Sequence, residues 1–90
     1  MNEHVEWDPR KAAANVKKHG VDFAAAIEVF DDAKLIVKID SRTYGERRYQ
    51  AIGTSRGVVL FVAYTMREED ICRIISVRRA SRRERARYAL

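Results

Sequence analysis

Apolar positions along the chain keep a helical period at the front, an alternating period in the middle and a helical one again in a short tail. Residues 4–7 read as a brief strand. Asp8-Pro9 is a helix start, an N-cap aspartate followed by proline at the first helical position. That helix is predicted to run to His19 and to stop at Gly20, the glycine expected just past a helix end. Asp22 is placed to cap a second helix, in which Phe23, Ala26, Ile27 and Phe30 fall at i, i+3, i+4 and i+7 as one apolar stripe. Asp31-Asp32 ends it. Four strand-like runs follow, at 35–40, 46–54, 58–65 and 71–77, separated by turns at 41–45, at Ser55-Arg56-Gly57 and at 66–70. The run at 58–65 is the most apolar and is predicted to be central. Ser81 and Glu84 have the spacing of a capping box, so the tail from Ser81 is predicted to be helical.

The order β-α-α-β-β-β-β-α predicts one two-layer α+β domain over residues 1–90. It has an antiparallel sheet of four to five strands, two N-terminal helices on one face and a short C-terminal helix. The other face is left to water or a partner. Ninety residues are too few for two independent cores. At 47% hydrophobic and 34% charged the chain is expected to be globular rather than disordered. Its longest apolar run falls far short of the roughly 20 residues a bilayer requires. The acidic, mixed N-terminus does not read as a signal peptide. Cys72, the single cysteine, suits a reducing cytoplasm, the expected location.

Charge changes the picture once it is divided along the chain. Residues 1–77 carry twelve Lys or Arg and twelve Asp or Glu. The whole excess of +5 therefore sits in residues 78–90, with six arginines against Glu84 alone. Such a patch attracts polyanions, and the planar guanidinium suits phosphate or carboxylate better than lysine does. A solvated helix end that aids solubility is the plainer alternative. The glycines are too scattered for a phosphate loop, and one cysteine with two distant histidines cannot close a zinc site. No metal or cofactor is expected.

Basic groups and one histidine remain as candidate chemistry. Lys17-Lys18-His19 ends the first helix, where the dipole favours cations; it is either a plain cationic cap or a site for proton transfer and phosphate stabilisation. Glu46-Arg47-Arg48 opens a strand with Glu46 and Arg48 on one face, as edge-strand charges or as functional groups. Arg67 sits at a strand end, and Arg73 interrupts an apolar strand, so it must face the wet surface or be paired. Ser76 and Arg78 share a face unless a bulge intervenes. Trp7 and Tyr88 could stack on bases or belong to the core. RNA carries its own nucleophile, the 2′-hydroxyl, so a metal-free ribonuclease needs little more than such groups.

Several of these residues stand in a family pattern. Glu6-Trp7-Asp8-Pro9-x-Lys11, Asn15-x-x-Lys18-His19-Gly20-Val21-x-Phe23 and Ala26-x-x-Val29-Phe30 resemble the front of BrnT-type toxins. Gly45-Glu46-x-Arg48, Ile52-Gly53, Arg73-Ile74-Ile75-Ser76-x-Arg78-Arg79-Ala80 and Glu84-x-x-x-Tyr88 continue the resemblance over nearly the whole chain. Two departures are mild: Val77 where the family often has alanine, and Ala33 where a proline often follows the aspartate. The resemblance implies a RelE-like fold and a metal-independent ribonuclease toxin of a type II toxin–antitoxin system that stops translation. It also implies a BrnA-like ribbon-helix-helix antitoxin, with which the toxin represses its operon by binding operator DNA. By that analogy Lys18, His19, Arg67, Arg73 and Arg78 form the phosphate-facing set. Glu46 and Tyr88 are the proton-transfer candidates, and Arg47, Arg48, Arg79 and Arg82 bind RNA. A non-enzymatic nucleic-acid-binding or co-repressor module, or an inactive antitoxin-binding domain, is the competing expectation.

Overall fold

The computed structural model describes residues 4–42, 45–68 and 70–90. It contains β1 (Val5–Glu6), α1 (Pro9–His19), α2 (Ala25–Phe30), β2 (Ile36–Asp40), β3 (Arg48–Ser55), β4 (Val58–Arg67), β5 (Ile71–Arg79) and α3 (Arg82–Tyr88). The five strands form one sheet in the order β1-β5-β4-β3-β2, with the apolar β4 at its centre as its composition predicts. β2 to β5 are an antiparallel meander. The expectation of a wholly antiparallel sheet fails at β1. This strand runs parallel to β5, Val5 opposite Cys72 and Glu6 opposite Arg73, because α1 and α2 carry the chain across the sheet before it returns. Of the turn at 41–45, Thr43 and Tyr44 lie outside the described residues, as does Glu69 of the turn at 66–70.

Local chemistry sets the helix ends. The Asp8 carboxylate accepts from the Arg10 amide, and Gly20 closes α1 at φ 71° with its amide donating to the Val16 carbonyl. Asp22 does not cap α2 directly. Its side chain accepts from the Ala24 amide and forms a turn, and the regular helix begins at Ala25. The predicted stripe holds at Phe23, Ala26 and Phe30, which are buried, and differs at one position: Ile27 is 44% exposed, whereas Val29 is fully buried. A six-residue helix packed flat on β3 buries the neighbours of Phe30 and Ala26 and turns Ile27 outward. Close approach is possible because position 53 lacks a side chain. A Cβ there would lie 3.0 Å from the Val29 carbonyl and 3.1 Å from its Cγ1. The hairpin between β3 and β4 turns through Arg56 (φ 51°) and Gly57 (φ 82°), both left-handed, as a two-residue loop of type I′ requires.

The core lies between the helices and one sheet face, around Phe23, Val29, Phe30, Val62, Tyr64, Ile74 and Val77. Trp7 stands edge-on to Phe23 and packs against this cluster. Asn15 is the buried polar exception on α1. β1 is too short to pair with β5 beyond Arg73, so Val77 would present an unpaired edge. The Asn15 carboxamide takes the place of a strand, donating to the Val77 carbonyl at 2.7 Å and accepting from its amide at 3.3 Å. It also donates to Val21, tying the chain after α1 to the same point.

Candidate nucleic-acid interface

The open face of the sheet is built by alternation and by one irregularity. Ile74 and Val77 are both buried although three residues apart, a spacing a regular strand cannot give. A bulge resolves it: Ala63 pairs with Ser76 while the next residue, Tyr64, pairs with Ile74, leaving Ile75 as the extra residue. Arg73, which a regular strand would set opposite Arg78, is thereby brought to the same face as Ser76 and Arg78. Cross-strand partners extend this face through Phe61, Ala63 and Thr65 on β4, Arg48, Gln50 and Ile52 on β3, and Lys38 on β2. α3 leans over one end of it, so the face expected to be left to water or a partner is partly roofed by the chain itself.

Arg78 is the most firmly held group there. Its guanidinium lies 4.1 Å from the Phe61 ring centroid and makes a two-pronged contact with Glu84, at 2.8 and 3.0 Å. Burial works to raise the Glu84 pKa, but the bonds from Arg78 and the Ser81 amide outweigh it and hold the carboxyl below its usual range. The same Glu84 completes the capping box that starts α3, so one side chain fixes both the helix and the arginine. Arg78 and Glu84 share a cleft of about 340 Å³ with Asp40, Arg42, Arg48, Gln50 and Ser76. Arg48 enters it with its Nε 3.4 Å from the Glu46 carboxylate at the rim. Arg67 and Arg73 are joined further along the face by Glu6, which accepts at 2.7 Å from each. Those two hydrogen bonds, Arg73 first, lower the Glu6 pKa.

Other candidates fall elsewhere. Lys18 and His19 end α1, whose Ala12 packs into the core from the helix layer. They therefore do not face Arg73 and Arg78, contrary to the expectation that these groups converge. Direction along the sequence could not show this, because the bulge decides which way the arginines point. Tyr88 is not a free proton donor either. Its hydroxyl donates to Asp32, and that bond raises the tyrosine pKa. Asp32 also accepts from the Thr54 hydroxyl and amide, and the Lys34 amide donates to it; with the Tyr88 bond first, these hold its carboxyl far below the usual range. Tyr88 thus anchors α3 to the end of the sheet. Arg47 is exposed, and its carbonyl accepts from the buried Thr65 hydroxyl. Arg82 is exposed at the start of α3. Arg79 points to the helix side and lines a second, larger cleft of about 530 Å³ beside α2. Glu28 there is engaged by the Ser55 hydroxyl and by Arg56, and among the described residues Arg79 is the one cation of that cleft outside this pair. Cys72 is buried, which pushes its thiol up to about 12 and removes it as a nucleophile.

Sequence reasoning missed Gln50, Phe61 and Asn15 as site-forming groups. Phe61 and Gln50 were legible only as strand residues; their role follows from register, Phe61 lying opposite both Arg78 and Ile52.

Comparison with known proteins gives the family. The family described as "Ribonuclease toxin, BrnT, of type II toxin-antitoxin system" matches residues 7–84, from the start of α1 through the first turn of α3. The 1.1 Å crystal structure of the ribonuclease toxin BrnT of Brucella abortus is similar, with a TM-score of 0.67 at 31% identity, covering 88% of this chain and 97% of that one. No curated protein matches. A family match over nearly the whole chain, and an α+β fold of five strands and three helices similar overall to that of the Brucella toxin, lead to one assignment: the chain belongs to the BrnT ribonuclease toxins of type II toxin–antitoxin systems.

Proposed function

We propose that this protein is a metal-independent endoribonuclease that cleaves RNA on the open sheet face and so inhibits translation. The observation that carries this reading is Arg78, fixed between Phe61 and Glu84 in a cleft it shares with Arg48, Gln50 and Ser76. Two guanidinium groups converging on one polar cleft suit a phosphodiester and the charge it gains in a pentavalent transition state. The 2′-oxygen attacks phosphorus as the bond to the 5′-oxygen breaks, giving a 2′,3′-cyclic phosphate and a 5′-hydroxyl end. Glu46, at the rim beside Arg48, takes the 2′-hydroxyl proton, and the departing 5′-oxygen takes one from water. Arg67 and Arg73 extend the track for the strand, and Arg47 and Arg82 flank it.

A type II toxin has an antitoxin. Here we assign it a BrnA-like ribbon-helix-helix protein that represses the operon with the toxin. The site of action is the cytoplasm; no helix among the described residues is long and apolar enough to cross a membrane. A RelE-like character of the fold is part of the same proposal.

Inducible expression of the chain alone tests it. Growth should stop and cellular RNA should fragment, and the purified protein should cleave RNA in EDTA. Arg78→Ala and Arg48→Ala should each slow cleavage at least tenfold in folded protein, whereas Lys18→Ala with His19→Ala should not. Intact RNA and normal growth with folded protein present would sink the proposal.

A further inference from the structure

A second, smaller pocket adjoins the phosphate cleft, with a volume of about 130 Å³ under α3. Gln50, Phe61 and Glu84 line both, so the two are neighbouring chambers with a common wall. The floor of the smaller one is apolar, formed by Ile36, Ile52 and Phe61, which are consecutive cross-strand partners on β2, β3 and β4. Its mouth is cationic, with Lys38 and Arg87. Drug-sized ligands occupy sites from ~300 Å³ upward, so this pocket is too small for a whole nucleotide and is of the order of a single flat ring.

Resting on the ribonuclease reading above, we propose that this pocket receives a nucleobase next to the phosphate held at Arg78, and that Gln50 selects which base. An unstacked base gains from an apolar and aromatic floor whatever its identity, so Ile52 and Phe61 supply affinity without choice. Discrimination needs a polar group that reads the base edge. Gln50 is half-buried between the chambers, and no side-chain hydrogen bond among the described residues engages its carboxamide. A carboxamide pairs one donor and one acceptor, the complement of the adenine N6 and N7 edge. Adenine is therefore the expected occupant. Lys38 and Arg87, outside the floor, are placed for the phosphate on the far side of that nucleotide.

The test separates base selection from cleavage by using short 2′-O-methyl RNA, which binds but lacks the nucleophile. Four oligonucleotides differing at one position are titrated into the full chain by fluorescence anisotropy, beside cleavage of the matching unmodified RNAs. The wild-type protein should bind the adenine oligonucleotide at least tenfold more tightly than the weakest of the four, and a preference for another base would overturn the adenine assignment. Gln50→Leu, of similar shape, should flatten that preference while keeping its thermal midpoint. Ile36→Trp, which fills the chamber from the edge strand, should weaken binding of all four and guards against a folding failure of the first variant. Equal affinity for the four bases in the wild type, or a preference unchanged in folded Gln50→Leu, would overturn the inference. Absence of cleavage with base-selective binding intact would instead count against the catalytic reading alone.

Discussion

Replacing Asn15 by leucine would remove a strand's worth of hydrogen bonding from the edge of β5 without opening a cavity. Asn15 is 6% exposed, and Val77, the residue it serves, is fully buried. The substitution strands the Val77 amide and carbonyl together; the Val21 carbonyl, nearer the surface, can turn to water. Each stranded buried group costs about 1–3 kcal/mol, while burying the leucine returns roughly 1.5–3 kcal/mol. At mid-range values two stranded groups cost about 4 kcal/mol and the leucine returns about 2, so the net loss is about 2 kcal/mol, a large share of the ~5–13 kcal/mol expected for a chain this size. Near 4–8 °C per kcal/mol, the thermal midpoint should fall by roughly 8–16 °C. Circular dichroism melts and urea titrations on the purified protein read this directly. Asn15→Asp should destabilise the protein in a pH-dependent way. A carboxylate beside the Val77 carbonyl has its folded pKa raised, so its penalty is present at neutral pH and shrinks as pH falls toward the unfolded carboxyl value near ~4. A drop under ~1 kcal/mol for the leucine variant, on the scale of one ordinary hydrogen bond, would refute the role given to Asn15.

Three further substitutions probe features that position the site. Gly53→Ala should cost about 1–3 kcal/mol by urea titration, because its Cβ meets the Val29 backbone carbonyl, which cannot swing aside. Arg56→Asn should raise the melting temperature by a few degrees, since asparagine tolerates the left-handed conformation at φ 51° better and the exposed pair with Glu28 contributes little. Asp32→Asn should loosen α3 in a pH-dependent way. The Asp32 carboxyl is held low in the folded state, so its contribution is complete above the unfolded value near ~4 and is lost as pH falls through the folded one. Wild-type and variant stabilities should accordingly differ most at neutral pH and converge in acid.

The elements were legible wherever the signal was local. Asp8-Pro9 and Gly20 bounded α1, Ser81 and Glu84 announced α3, and the apolar content of β4 placed it at the centre. What was not legible depends on contacts between distant segments. The parallel pairing of β1 with β5 has no two-residue signature. Ile27 and Val29 are equally apolar, and only the seating of α2 on β3 decides which is buried. Asn15 reads as an ordinary polar helix residue until the length of β1 is known. The bulge at Ile75 matters most for the site. The sequence Arg73-Ile74-Ile75-Ser76-Val77-Arg78 admits either a regular strand, with the two arginines on opposite faces, or a bulged one that unites them.

That union also changes what the charge distribution means. The excess along the chain lies in residues 78–90, yet the groups gathered on the open face are largely matched by carboxylates. Arg67 and Arg73 share Glu6, Arg78 is clasped by Glu84, Arg48 lies beside Glu46 and Arg42 beside Asp40. A surface of this kind exerts little long-range pull, because paired charges cancel beyond a Debye length of about 8 Å. Its value is orientation: a guanidinium packed on Phe61 and held in plane by Glu84 loses little freedom when a phosphate oxygen meets it. Long-range attraction is left to α3, where Arg82, Arg83, Arg85 and Arg87 are exposed and only Glu84 opposes them. Capture and positioning are thus divided between neighbouring elements, joined at Glu84, which caps the attracting helix and aligns the arginine in the cleft.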